Sequence, residues 1–214
     1  MIILSIHLGH NSSLCLFKDG KIEKYFLIER LTRKKYDYNK KVISSLVDNI
    51  SKKWKVDVIC ISNFKPPQED KFITTIFETC KKYNSDVDLV LQQDHHLNHA
   101  SLAFYNSQFD ESLVIVADGS GSEIKDGLVE VESVFVFNQE KNTLIHKNVV
   151  KSFSSFDLPW GKVGVGGLYD IASVLIGNTP DDCGKAMGLS SYGFPNELFQ
   201  DLLHQRPNIE PIKQ

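Results

Sequence analysis

No stretch of this 214-residue chain is long and apolar enough to span a bilayer. The first residues, Met1-Ile2-Ile3-Leu4-Ser5-Ile6-His7, lack a basic lead and are interrupted by His7 and His10. They read as a strand, not as a signal peptide. Cysteine is scarce: Cys15, Cys60, Cys80 and Cys183 are scattered without a Cys-X-X-Cys pair, which excludes a disulfide framework and a thiolate zinc motif. Cys15 and Cys60 fall inside apolar runs, where cysteine behaves as a small hydrophobe. Charge of one sign is also missing. The 24 Lys and Arg against 27 Asp and Glu leave a net charge of −3, so no global basic surface points to nucleic acid. Two local basic runs, Arg30 to Lys41 and Lys52 to Lys55, read as solvated helix faces or loops. Together these features predict a soluble protein of a reducing cytoplasm, with no membrane partner.

With 42% hydrophobic residues the chain can bury one large core or two small ones. Strands are expected over residues 2–8, 13–17 and 22–28, with a turn at Gly9 to Ser12 and a hairpin at Asp19-Gly20. A helix follows over 41–54, then a strand over 56–62, a proline-containing loop, a helix over 72–83 and a strand over 87–91. The second half repeats the opening with strands over 113–117, 129–137 and 143–150, and a glycine turn at Asp118-Gly119-Ser120-Gly121. A strand–glycine turn–strand–turn–strand unit that occurs twice predicts a duplicated α/β architecture with a cleft between the halves. Glycine turns of this kind can aim backbone N–H groups at a phosphate; two plain β-hairpins would read the same.

The densest chemical signal is His95-His96-Leu97-Asn98-His99. His95 and His99 are four apart, so on a helix both imidazoles leave one face, as two metal ligands must. Asp118 closes the apolar strand Leu113-Val114-Ile115-Val116-Ala117 and is placed to add a hard carboxylate ligand. A histidine pair alone also occurs as surface or core decoration; Asp118 tips the reading towards a metal. Gly161-Lys162-Val163-Gly164-Val165-Gly166-Gly167 precedes a helix expected over 168–176. Its spacing is not that of a Walker A loop, and a loop that lets the helix pack closely fits better than phosphate binding.

Six segments stand out in order along the chain: Ile6 to Ser13, Glu29 to Lys35, His95 to Ala100, Phe109 to Glu111, Asp118 to Gly121, and Gly184-Lys185-Ala186-Met187-Gly188-Leu189-Ser190-Ser191-Tyr192-Gly193. Together they resemble the N-terminal part of the O-carbamoyltransferases of nodulation and antibiotic tailoring. That family carries a domain similar to the tRNA-threonylcarbamoylation protein, on the actin/Hsp70/sugar-kinase fold. The resemblance implies a first subdomain over residues 1–110 and a second, incomplete one over 111–214. It implies that His95, His99 and Asp118 hold a divalent metal, iron(II). It makes His10 a candidate general base for an acceptor hydroxyl, since an alcohol must lose its proton as it attacks. On its own, His10 also reads as a turn residue without chemistry, and His7 as structural.

By the same resemblance Asn11, Ser12, Gly119, Ser120, Gly121 and Lys185 are nucleotide or phosphate contacts, with the backbone amides of 119–122 as a cradle. His96 either faces away and orients the segment or touches phosphate. Arg30, Arg33 and Lys35 are weaker, acceptor-binding candidates; for these three and Lys185 a surface ion pair is the competing reading. The implied reaction takes carbamoyl phosphate and ATP to carbamoyl-adenylate, from which the carbamoyl group passes to a hydroxyl of an acceptor. The adenylate-forming C-terminal domain is absent from this sequence, as are a later aspartate ligand and the adenosine-binding glycine motifs. Ile28, Cys183 and Ser190-Ser191 also depart from the family's usual residues. A separate chain could supply the missing half. Two other classes stand beside this one: an inactive metal- and nucleotide-binding partner subunit, and a threonylcarbamoyl-transferring relative that acts on tRNA.

Overall fold

The computed structural model describes residues 1–151 and 164–194. The chain forms two compact units, Met1–Gln93 and Asp94–Gln214. In the first, strands β1 (Ile2–His7), β2 (Ser13–Lys18) and β3 (Lys21–Leu27) form an antiparallel meander. Asp19 and Gly20, both at positive φ, make the β2–β3 turn. Strands β4 (Val58–Ser62) and β5 (Asp88–Gln92) then add in parallel, giving the order β3-β2-β1-β4-β5. Parallel addition needs crossovers, and helices α2 (Lys40–Lys53) and α3 (Asp70–Lys81) supply them. Leu4, Ile6, Leu14, Leu16, Ile59 and Ile61 of the sheet are fully buried with Ile43 and Val47 of α2. Alternate residues of each strand therefore meet an apolar helix stripe, which is how a half-buried sheet finds its core. A short helix, α1 (Ile28–Thr32), starts where the third strand was expected to run on.

The second unit opens with α4 (His95–Ser107) and continues with β6 (Glu111–Ala117), β7 (Glu123–Lys125), β8 (Leu128–Asn138) and β9 (Asn142–Lys151). Strand β8 pairs antiparallel with β6 and β7 on one side and with β9 on the other. Helices α5 (Val165–Leu175) and α6 (Cys183–Ser190) follow; α6 lies in a segment for which no helix is predicted. The α/β class and the repeated three-strand meander match the sequence expectation. The division between units falls after Gln93, where residue 110 was expected. The reason is α4: its Leu97, Ala100 and Phe104 pack against Val114, Val116, Phe135 and Phe137, so it belongs with the sheet that follows it.

Among the described residues no helix is long and apolar enough to cross a membrane. Of the glycine-rich piece, 161–163 lie outside the described residues, as does the tail 205–214.

Candidate functional site

Two local devices place the histidines. Asp94 caps α4: its Oδ1 accepts the Leu97 amide at 2.9 Å, so the helix starts at His95. Spacing by four then lays His95 and His99 one turn apart, with ring centroids 4.6 Å apart. Asp118 comes from the end of β6, its backbone N–H bonded to Val131 O across to β8. His95 Nε2 and Asp118 Oδ2 are 2.8 Å apart, His99 Nε2 and His95 Nε2 are 3.0 Å apart, and His99 Nε2 lies 3.9 Å from Asp118 Oδ2. All three donor atoms fall within 4.8 Å of one another.

The three groups are electrostatically coupled. The hydrogen bond to Asp118 raises the His95 pKa above the ordinary histidine value. Burial, then the neighbouring His95, lowers that of His99. For Asp118 burial pushes upward, yet the hydrogen bonds from His95 and the Gly119 amide hold its carboxyl below the usual range. Two imidazole nitrogens at 3.0 Å cannot both carry protons without repulsion. A divalent cation removes the conflict, since each nitrogen offers a lone pair and the carboxylate balances charge. Two imidazoles and one carboxylate form the donor set of non-haem iron(II) centres and of catalytic zinc sites. The residues present therefore fit a divalent metal. Asp118 Oδ1 accepts the Gly119 amide at 2.7 Å, the kind of supporting bond that orients a ligating carboxylate.

Because protons compete with metal for His95, affinity falls as pH is lowered through its raised pKa, by about tenfold per pH unit for each proton displaced. Titrations with Co2+ at several pH values between 6 and 8 check this; a pH-independent affinity contradicts it. In the metal-free chain the expected sign is opposite: the His95–Asp118 contact adds stability that is lost as pH rises through the raised His95 pKa, and lost again as pH falls through the lowered Asp118 pKa.

His96 points the other way. It is fully buried, its Nδ1 is 2.7 Å from Ser133 Oγ, and its Nε2 has no hydrogen-bond partner among the described residues. Burial, its largest influence, lowers its pKa below the ordinary histidine value and so disfavours the charged ring. Its burial corrects the phosphate-contact alternative, because the ring has no surface to offer a ligand. The amide cradle is corrected too. The amides of Gly119, Gly121 and Ser122 donate to Asp118 Oδ1, Glu130 O and Glu130 Oε1, leaving the exposed Ser120 as the outward-facing member of the turn. Gly121 is explained by packing: a Cβ there would stand 2.5 Å from Glu130 Cγ and 2.9 Å from His96 Cδ2.

In the first unit the structure joins two of the sequence motifs. The Ile28 amide donates to Ser12 O, and Ser12 Oγ to Asp37 O, which brings the 28–37 segment against the turn after β1. Ser12 is fully buried and its hydroxyl is used in this bond, so it is a structural residue and not an exposed phosphate contact. Exposed His10 meets Tyr36 edge-on at 6.5 Å, and Lys35 Nζ lies 4.5 Å from the same ring. Asn11, in the left-handed conformation, and Arg30 and Arg33 are exposed around them. His7 bonds Ser62 Oγ and Asn63. Lys185 is exposed and pairs with Asp182 at 2.7 Å, the surface ion pair that competed with its phosphate role. Burial raises the thiol pKa values of Cys15, Cys60 and Cys80, against any nucleophilic cysteine among them.

Glu130 and Lys147 were not singled out in the sequence, and Ser122 was read only for its amide and not for the hydroxyl that accepts the His95 amide. A glutamate amid Val129-Glu130-Val131-Glu132-Ser133-Val134-Phe135 is the signal that could have found the first, since strands disfavour buried charge.

The fold and site define a class: an α/β protein in which two histidines and one carboxylate converge as a set of donors that could hold a metal ion. Residues 18–210 match the carbamoyltransferase N-terminus family, and the chain belongs to that family. The observed architecture is mixed α/β, with strand order β3-β2-β1-β4-β5 in the first unit; the actin/Hsp70/sugar-kinase-like class is what the resemblance implies. Two uncharacterised proteins of Methanocaldococcus jannaschii are similar. One is 31% identical over 64% of this chain and 22% of its own length, the other 33% identical over 89% and 33%. The chain thus spans a third or less of these relatives. A solved structure from Pseudomonas aeruginosa, an uncharacterised protein with similarity to peptidase YeaZ, aligns at TM-score 0.41 and 12% identity over 74% of this chain and 70% of that one.

Proposed function

We propose that this chain is the carbamoyl-transferring part of an O-carbamoyltransferase. It holds iron(II) at His95, His99 and Asp118 and presents carbamoyl-adenylate, made from carbamoyl phosphate and ATP, to an acceptor hydroxyl. The observation that carries the reading is the convergence of those three donors within 4.8 Å in a chain of this family. The bound cation supplies positive charge that offsets phosphate and orients the mixed anhydride.

The chain's own residues do the rest. We assign His10 the acceptor's proton: it is exposed beyond the carboxyl end of β1, the end of a parallel strand where open α/β sheets receive ligands. As the acceptor oxygen bonds to the carbamoyl carbon, the bond from that carbon to the AMP oxygen breaks. AMP leaves with the electron pair and the hydroxyl proton passes to His10. Exposed Arg30, Arg33 and Lys35, on the segment held beside His10, are assigned to the acceptor or its phosphate. Ser120 and Lys185 are assigned to nucleotide phosphate, the latter by releasing Asp182.

The test is binding of a non-reactive carbamoyl-adenylate analogue to the metal-loaded chain, followed by transfer of a radiolabelled carbamoyl group to hydroxyl acceptors. His10→Asn is expected to slow transfer by about 100- to 10,000-fold while metal affinity stays unchanged. No analogue binding by the metal-loaded chain would sink the reading. Binding without transfer would make the chain an inactive partner subunit.

A further inference from the structure

A helix N-terminus leaves its first amides without partners inside the helix. In α4 the His95 amide donates to Ser122 Oγ at 3.1 Å and the His96 amide to Glu130 Oε1 at 3.2 Å. Both acceptors belong to the segment that follows Asp118. Glu130 Oε1 also accepts the Ser122 amide at 3.0 Å, so one carboxylate oxygen ties the helix carrying two ligands to the turn carrying the third. The other oxygen accepts from Lys147 Nζ and lies 3.7 Å from His96 Nδ1.

Glu130 is fully buried. A buried carboxylate costs several kcal/mol unless paired and fully hydrogen-bonded, and an apolar residue would fill this position of β8 at lower cost. Its backbone is fixed as well: Glu130 N donates to Ser122 O and Glu130 O accepts from Gly121 N. The β8–β9 register shifts between Glu130 and Glu132, an extra residue that re-aims a strand's side chains. That bulge lets Glu130 and Ser133, an odd number apart, both face His96.

We propose that Glu130 is the positioning residue of the metal centre, setting the separation of His95 and His99 from Asp118 through the His96 and Ser122 amides. This rests on the metal reading above. Glu130 acts through backbone and is not itself a ligand.

The experiment uses Co2+ as probe, reading affinity by competition with a chelator and coordination geometry by visible absorption, with melting of the metal-free chain in parallel. Glu130→Gln is expected to weaken Co2+ binding about 10- to 100-fold and to alter the absorption band. Ser122→Ala removes a single acceptor and shifts both readouts less, in the same direction, which covers the case that Glu130→Gln folds poorly. Phe104→Leu, in the core under α4 and remote from these bonds, lowers the melting temperature with wild-type affinity and spectrum. Unaltered Co2+ affinity and spectrum in both Glu130→Gln and Ser122→Ala, beside normal wild-type binding, overturn the inference alone. A wild-type chain that takes no Co2+, Zn2+ or Fe2+ overturns the metal reading, and this inference with it.

Discussion

Replacing His95 and His99 together by alanine removes divalent-metal binding: affinity falls by well over the roughly 100-fold attached to losing a supporting partner, because two of three donors go. The fold survives. His99 is half exposed and His95 partly so, neither belongs to the α4–β6–β8 apolar cluster, and alanine favours a helix. The substitution also ends the crowding of two imidazole nitrogens 3.0 Å apart. The discriminating quantity is therefore metal-induced stabilisation. A ligand at about 1,000 times its Kd stabilises a folded chain by about 4 kcal/mol, and in the double variant this increment vanishes. Melting with and without Fe2+ under anaerobic conditions, and with Zn2+, reads it directly. A double variant that keeps the wild-type metal-induced shift would place the binding site elsewhere.

Gly166→Ala is expected to be among the most damaging small substitutions in the second unit. A Cβ there would stand 2.2 Å from Gly119 N and 2.3 Å from Asp118 C. Those are backbone atoms of the ligand-bearing turn and have no rotamer to change. Alanine's helix propensity favours the change by about 1 kcal/mol, and overpacking opposes it by about 1–3 kcal/mol or more. With contacts this short the clash wins, so α5 must back away from Asp118 and the melting temperature drops by several degrees. Gly188→Ala in α6 is the control: nothing lies within 4 Å of its Cβ, so helix propensity acts alone and stability rises by up to about 1 kcal/mol. Metal affinity should fall in Gly166→Ala and stay constant in Gly188→Ala. Equal melting of the two variants would refute the close packing of α5 on the turn.

These two predictions also mark how far the sequence could be read. His95, His99 and Asp118 were legible because helical spacing and a strand end are local properties: four residues make one turn whatever the rest of the chain does. The meanders were legible for the same reason, through alternation and the Asp19-Gly20 turn. The glycine-rich piece was legible as close packing, yet its partner was not, since nothing local says that Gly166 will meet Asp118 and Gly119. The amide cradle misled because a glycine turn advertises free N–H groups, while the acceptor that takes two of them, Glu130, sits on the next long strand.

The sequence by itself thus determined the α/β class, the two meanders, the three side chains that converge at His95, His99 and Asp118 and, through its motifs, the family. Tertiary structure decided that α4 belongs to the second unit, that His96 faces inward, and that Ser12 and three turn amides are consumed within the protein. The physical reason is range. Periodicity, capping and turn chemistry act over a few residues, whereas a buried carboxylate such as Glu130 finds its donors at His96, Ser122 and Lys147 only once the sheet has formed and a bulge has turned it towards them.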